Sequence, residues 1–422
     1  MGDNVRHFFY ICLNSFKAMV QISNPFTMGK TGFLPQEEML EVISHRKCLT
    51  IGIPKELDDN ESRVALTPQA VELLVSNGYT ILYERDAGKA ASFINEKYLD
   101  AGALICEDKQ SVYAADIILK VGPFTLAEID YLRERQTVIS SFNLNMEAEV
   151  TLKALLAKKI IAISFEQIRD LNGIYPIVNT MCEITGSISI MIAAEYLSNV
   201  NNGKGILLGG ITGISPAEVV ILGANTAGEF AARTALGLGA MVKIFDSNLQ
   251  RLGDIQKNLG QRIFTSTYHP FVLQKALTAA EVVIGTIPIN ETENAFYISE
   301  DMVRNMKPGT IIIDLSINQG GCFETSHCTT HKNPTFLKYG ITHYCVPNIP
   351  SRVARTSTIA LSNIFAPILF DIGKTGGINP YLKSNFTLRQ GVYTFNGILT
   401  NYNISKFFDM PYKNIDLLMA AF

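Results

Sequence analysis

The chain has 422 residues, of which 47% are hydrophobic and 18% charged, and its formal net charge is −3. That length gives room for two domains and an ample core, and no basic excess marks a nucleic-acid face. The seven cysteines (Cys12, Cys48, Cys106, Cys182, Cys322, Cys328, Cys345) are scattered and odd in number, which argues against a disulfide framework and for a reducing cytoplasm.

Near the N-terminus, residues 8–22 are apolar, but Asn14 and Lys17 interrupt the run and no small-residue cleavage site follows. Residues 1–27 are expected to be a poorly ordered leader, or a start misassigned ahead of Met28. No run of about 18 apolar residues occurs, so no membrane span is expected.

From residue 49 short β-branched runs alternate with helical patterns. Strands are predicted at residues 50–54, 79–83, 117–121, 137–141 and 160–165, with amphipathic helices at 68–77 and 146–158. A long helical pattern over 183–197 and the loop "NNGKGILLGGITGISP" lead to a second series, with strands at 219–222, 241–245, 282–285, 310–314 and 343–346. The loop has neither P-loop spacing nor a Ser/Thr after its Gly-Lys, so it reads as a connection. The final 65 or so residues read as helical and then aromatic-polar. Alternation of this kind defines an α/β chain with parallel sheets.

The stretch "EVVILGANTAGEFAARTALGLGAMVKIFDSN" places Gly223 at the end of a strand, Gly228 in the first turn of a helix and Asp246 at the end of the next strand. Gly223 suits a tight turn, Gly228 close helix–strand packing, and the helix N-terminus, at Asn225, Thr226 and Ala227, a pyrophosphate. Asp246, placed for the ribose hydroxyls, favours NAD over NADP because it would repel a 2′-phosphate. Asn225 stands where the fingerprint has its middle glycine, and its side chain is expected to crowd the phosphate. Further on, "CFETSHCTTHK" gathers Cys322, His327, Cys328 and His331, but without a second ligand pair at finger-like spacing, so no metal is expected.

The segments "IGIPKELDDNESRVALTPQAVELLVSNGY", "ASFINEKYLDAGA", "GGITGI", "ILGANTAGEFAAR", "MKPGTIIIDLSINQGGCFE" and "HKNPTFLKYGITHYCVPNIPSRVARTST" resemble the alanine dehydrogenases and the NAD-binding subunit of proton-translocating transhydrogenases. The ending "QGGCFE…HYCVPNIP" looks more like the dehydrogenases. The leader "TGFLPQEEMLEV" and tail "GVYTFNGILTN" look like a dehydrogenase-like subgroup of Bacteroidetes-type bacteria. The resemblance implies two Rossmann-like domains. The substrate domain would comprise 48–176 and 354–422, with a Rossmann NAD-binding domain, 177–353, inserted into it and 1–47 as an extension. It implies NAD-dependent, reversible oxidative deamination of L-alanine to pyruvate and ammonium by a hexamer or dimer, with no membrane or nucleic-acid partner.

Carried over residue by residue, the family's substrate-carboxylate arginine is Arg63 in "ESRVALTP". Its second basic residue falls on Gly122, since "LKVGPF" replaces "LKVKEP", and strand alternation is expected to turn Lys120 to the other face. Its catalytic histidine falls on Asn143, with no histidine between His45 and His269, and its aspartate on Asn318. Cys182 stands for a serine beside the cofactor phosphate, and Asn348 keeps the residue near the nicotinamide. An asparagine amide orients a substrate but shuttles no proton, so slow turnover is expected. Two other functions stay open: a catalytically silent NAD(H)-binding oligomer, and a relative of the transhydrogenase subunit.

Overall fold

The computed structural model describes residues 49–142, 148–287 and 298–421; residues 1–48 and Asn143 lie outside the described residues. The first sheet contains β1 (Thr50–Ile53), β2 (Thr80–Glu84), β3 (Leu104–Cys106), β4 (Ile117–Leu119), β5 (Thr137–Ser140) and β6 (Ile161–Ser164). The second contains β7 (Glu218–Leu222), β8 (Met241–Phe245), β9 (Phe264–Ser266), β10 (Val282–Gly285), β11 (Ile311–Asp314), β12 (Thr335–Lys338) and β13 (Ile341–Tyr344). Two late strands, β14 (Val392–Phe395) and β15 (Ile398–Leu399), return to the first sheet, whose order is β15-β14-β6-β5-β4-β1-β2-β3. The second runs β12-β13-β11-β10-β7-β8-β9.

β4, β5, β6, β10 and β11 are buried along their whole length, as parallel strands covered on both faces must be. Alternate residues feed opposite cores: Val219 and Ile221 face one cluster, Val220 and Leu222 another. The sheets are mixed rather than purely parallel, because β12–β13, β14–β15 and β14–β6 pair antiparallel.

Two helical stretches, Pro176–Leu197 and Ile349–Lys374, are long and apolar enough by composition to cross a membrane, with mean hydropathies of 1.5 and 1.3. Neither is an uninterrupted apolar run, because Thr and Ser residues are scattered through both. Both pack within the fold: Ile190, Ile192, Ala193 and Leu197 enter the core of the second sheet, and Leu361, Phe365, Leu369 and Ile372 that of the first.

In each sheet the strand order reverses beside its first strand: β1 lies between β2 and β4, and β7 between β8 and β10. Ligands of open α/β sheets bind at the carboxyl ends of strands at such a switch point. The chain therefore has two crevices of this kind.

Candidate functional site

The β7/β10 crevice carries the dinucleotide features. Gly223 turns with φ of 108° and its N–H donates to the Phe245 carbonyl at 2.7 Å. That positive φ is what a glycine accommodates at no cost. A Cβ on Gly228 would lie 2.0 Å from the Gly223 carbonyl oxygen, so only glycine lets the helix Thr226–Gly237 start so close to the turn. The Asp246 carboxylate, 4% exposed, accepts from the Ala224 N–H at 2.7 Å and the Asn248 N–H at 2.8 Å. It is thereby fixed at the end of β8 beside the turn. The N–H groups of Thr226 and Ala227 are those a helix start leaves unpaired. These groups fit a pyrophosphate and a ribose.

Asn225 corrects the expected crowding. It is the N-cap of this helix: its Oδ1 accepts from the Gly228 N–H at 3.0 Å and its Nδ2 donates to the Thr286 carbonyl at 2.5 Å. The side chain folds back over the turn, as a capping asparagine does. Cys182 lies one turn before Gly186 on the helix Pro176–Leu197, and a Cβ on Gly186 would sit 2.2 Å from the Ala227 carbonyl oxygen. Residues four apart share a helix face, so Cys182 is on the side that meets the helix start. Burial, then the neighbouring Glu183, raises its thiol pKa, so it is a poor thiolate.

The β1/β4 crevice holds a cluster of buried charges. Arg63 donates through Nε to Glu61 Oε1 at 2.8 Å and through Nη2 to Glu61 Oε2 at 2.6 Å. Glu61 occupies the side-on fork of the guanidinium, which leaves the end-on fork, Nη1 and Nη2, for a second carboxylate. Nη1 touches the Met181 sulfur at 3.4 Å. Burial works against the Glu61 charge, but the Arg63 charge and its hydrogen bonds prevail and hold the carboxyl below its usual range. Asn348, from the loop after β13, donates through Nδ2 to Glu61 Oε2 at 2.9 Å and to the Asn60 carbonyl at 3.0 Å. The His331 N–H donates to Asn60 Oδ1, and His331 Nε2 donates to the Asn348 carbonyl at 2.8 Å. Loop residues 58–63 are thus pinned to the segments that flank the second sheet.

Gly122 and Lys120 both address Glu56. Glu56 Oε1 accepts from the Val121 N–H at 2.7 Å and the Gly122 N–H at 3.2 Å, and Oε2 lies 3.5 Å from Lys120 Nζ. Lys120 Nζ also donates to Glu128 at 2.7 Å, both side chains being 2% exposed. A Cβ on Gly122 would come within 2.8 Å of Glu56 Oε2 and 3.8 Å of Lys120 Cε. This corrects the expectation that Lys120 turns to the other face, because residues two apart share a strand face. The ladder continues past Leu119, with the Lys120 N–H donating to the Ile139 carbonyl at 3.0 Å and the Ser141 N–H to the Val121 carbonyl at 3.3 Å. Burial raises the Glu56 pKa against the pull of Lys120, and the Glu61 charge adds to the rise.

The structure joins Arg63 to Asn348 through Glu61, and Gly223, Asn225 and Gly228 to one turn with Asp246. Asn318 is exposed on the turn Ile317–Gln319 and joins neither group by a hydrogen bond among the described residues. Cys322 is buried beside Asp314, His327 stacks on Phe336, and Cys328 is exposed, so these residues do not converge on one centre. Sequence reasoning missed Glu56, Glu61 and Glu166. Only the Glu-x-Arg spacing of Glu61 and Arg63 offered a signal, since the others meet from separate strands.

Two doubly wound α/β units, one with a crevice that fits a dinucleotide and one with a buried arginine, define a two-domain dinucleotide-binding class. The chain belongs to the alanine dehydrogenase/PNT family, whose N-terminal domain matches residues 52–185 and whose C-terminal domain matches residues 189–402. It is 39% identical over 366 residues to an alanine dehydrogenase of Methanococcus maripaludis, covering 86% of this chain and 98% of that one. It is 37% identical over 369 residues to alanine dehydrogenase 2 of Staphylococcus aureus, covering 87% and 99%. Among solved structures it matches an L-alanine dehydrogenase with a TM-score of 0.81 at 32% identity, covering 86% of this chain and 99% of that one. The fold is shared with a transhydrogenase from Sinorhizobium meliloti, with a TM-score of 0.70 at 21% identity, covering 84% and 99%.

Proposed function

We propose that the protein is an NAD-dependent alanine dehydrogenase, catalysing the reversible conversion of L-alanine and water to pyruvate and ammonium. The observation that carries this reading is Arg63, held by Glu61 with its end-on fork left for a small carboxylate, beside a crevice that fits a dinucleotide. The 37–39% identity to alanine dehydrogenases over most of the chain supports the choice of substrate.

NAD, when bound, accepts the hydride from the substrate carbon. The Thr226 and Ala227 N–H groups and Gly223 would take its pyrophosphate, with Asn225, Gly228 and Cys182 shaping the turn. Asp246 would take the adenosine ribose and Asn348 would stand near the nicotinamide. Arg63 binds the substrate carboxylate, and Asn143 and Asn318 orient the amino or carbonyl group. Residues 48–176 with 354–422 form the substrate domain and 177–353 the NAD-binding domain. The sharing of the first sheet between early and late strands supports that division.

A cytoplasmic homo-oligomer, hexamer or dimer, is part of this reading. The turn before β7 supports self-association: Leu207, Ile211 and Ile214 are 65%, 63% and 62% exposed, with the half-exposed Met191 on the helix Pro176–Leu197. Apolar side chains concentrated in this way on one connection suit a buried interface.

Oxidation of NADH with pyruvate and ammonium tests the function. Arg63→Lys is expected to raise the pyruvate KM by on the order of tenfold or more, because an ammonium cannot serve Glu61 and a substrate carboxylate as two forks. An unchanged KM would remove Arg63 from the substrate site.

A further inference from the structure

We propose that Glu166 is the proton-exchanging group of this site, taking up a proton when the carboxylate of pyruvate docks on Arg63. The inference rests on the alanine and pyruvate reading above.

Position comes first. Glu166 lies in the turn Phe165–Gln167, directly after β6, and the register Ser140↔Ser164 places it opposite Phe142, two residues beyond the paired ends. The Phe142 N–H donates to its carboxyl. The carboxyl ends of β1, β4, β5 and β6 thus bring Glu56, Val121–Gly122, Phe142 and Glu166 to one edge, and Glu166 stands beside the chain position that precedes Asn143. The residue is half-buried, so part of it stays accessible.

Charge comes second. The linked group contains four carboxylates, Glu56, Glu61, Glu128 and Glu166, but two cations, Arg63 and Lys120. Three of the carboxylates have strong partners. Glu61 has both arms on Arg63 and a bond from Asn348; Glu56 has two backbone N–H groups and Lys120; Glu128 has Lys120, Tyr113 and Thr125. Glu166 has one neutral donor, and Arg63 is the one charged group that acts on it among the described residues. On the following residue, Gln167 accepts from the neutral Asn401. Burial already raises the Glu166 pKa, with the Phe142 N–H and Arg63 opposing the rise. A substrate carboxylate on Arg63 cancels the charge that opposes it, so the proton goes to Glu166.

The chemistry follows. In deamination the positive iminium offsets the substrate carboxylate on Arg63, so Glu166 is ionised at that stage and accepts a proton from water as the water oxygen bonds to the iminium carbon. It returns that proton to nitrogen as the C–N bond breaks, and then takes the hydroxyl proton as the carbonyl forms. Amination runs the same transfers in reverse. The glutamate thus moves the protons that an asparagine amide cannot.

The test is calorimetric titration of pyruvate into the protein with NADH and without ammonium. It uses two buffers of different ionisation heat, from about pH 5 to about pH 9. Proton uptake is expected to pass through a maximum of up to about one proton per site. It should vanish in Glu166→Gln, persist in Glu56→Gln, and shift along the pH axis in Glu166→Asp. NADH titration of each variant reports that the fold and cofactor site are intact. Turnover of Glu166→Gln should fall by about 10²-fold or more and lose its carboxyl-dependent pH limb. Pyruvate binding without proton uptake, uptake that survives in Glu166→Gln but not in Glu56→Gln, or wild-type turnover in Glu166→Gln overturns the role of Glu166 and leaves the function standing. Failure of the wild type both to bind pyruvate and to turn over overturns the substrate reading, and this inference with it.

Discussion

At the scale of single residues, the site depends on groups that restrain other groups. Glu61 shows this most sharply. Its side chain is 5% exposed and that of Arg63 is 12% exposed, so removing the acid leaves a guanidinium in a poorly solvated place. Breaking one partner of a buried pair costs about 3–5 kcal/mol. Glu61→Ala is therefore expected to lower stability by that order in urea unfolding and to weaken pyruvate binding, with NADH affinity nearly unchanged. Equal losses of NADH and pyruvate affinity would mean that the pair holds the whole cleft and not the substrate arginine. Asn225 makes the complementary case. Its side chain caps a helix and ties the turn to Thr286, so Asn225→Gly should cost about 1 kcal/mol in stability. It should not tighten NADH binding, as a fluorescence titration will show; a clearly lower Kd would restore the view that the asparagine obstructs the phosphate.

Among elements, the legibility of the sequence followed unbroken apolar runs. β8 and β10 have the predicted limits, and β1, β5 and β7 differ by a residue, because each is a short apolar run that ends at a turn signal. β3, β9, β12, β14 and β15 were missed: the first three are three or four residues long, lie toward the sheet edges and are only half-buried. β14 is buried along its length, but its apolar run is broken by Thr394 in a stretch read as aromatic-polar, and β15 has two residues. β13 lies two residues earlier than predicted, since the apolar Cys345 and Val346 continue past the end of the ladder. On β13, His343 is fully buried, with Nδ1 donating to the Ile341 carbonyl at 3.1 Å and Nε2 accepting from the Thr325 hydroxyl at 2.8 Å. Burial pushes its pKa down to about 4. A histidine depressed in this way contributes stability that is complete above about pH 6.5 and is lost as pH falls toward about 4, at most about 3 kcal/mol here. The unfolding free energy of His343→Gln, followed over that window, should fall less steeply than that of the wild type. Parallel curves would show that other groups carry the acid limb.

For the whole molecule, the fold class and the dinucleotide crevice could be read because each arises from one continuous stretch. The acid cluster could not: Glu56, Lys120 and Glu166 are brought together by three different strand ends, and only the pairing register sets their proximity. Assembly belongs to the same scale. Ile211 and Ile214 form a small antiparallel bridge at the tip of the connection before β7, with both side chains facing outward. Ile214→Asp is expected to shift the sedimentation profile toward smaller species while leaving monomer stability within about 0.5 kcal/mol, as for an exposed position. An unchanged profile would place the subunit interface elsewhere.

The return of β14 to the edge of β6 also fixes an order of events in time. Thr394 pairs with Ala162, and its hydroxyl reaches the Ile160 carbonyl across 234 positions of chain. A ribosome must therefore deliver nearly the whole polypeptide before the first sheet can close. The second sheet, whose strands follow one another in a single stretch, closes shorter loops and has the earlier chance to form. In pulse-labelled hydrogen exchange during refolding, amides of β7, β8 and β10 should become protected before those of β14. A nascent chain halted short of β14 should present β6 as an unpaired edge, the species most open to chaperone capture or aggregation.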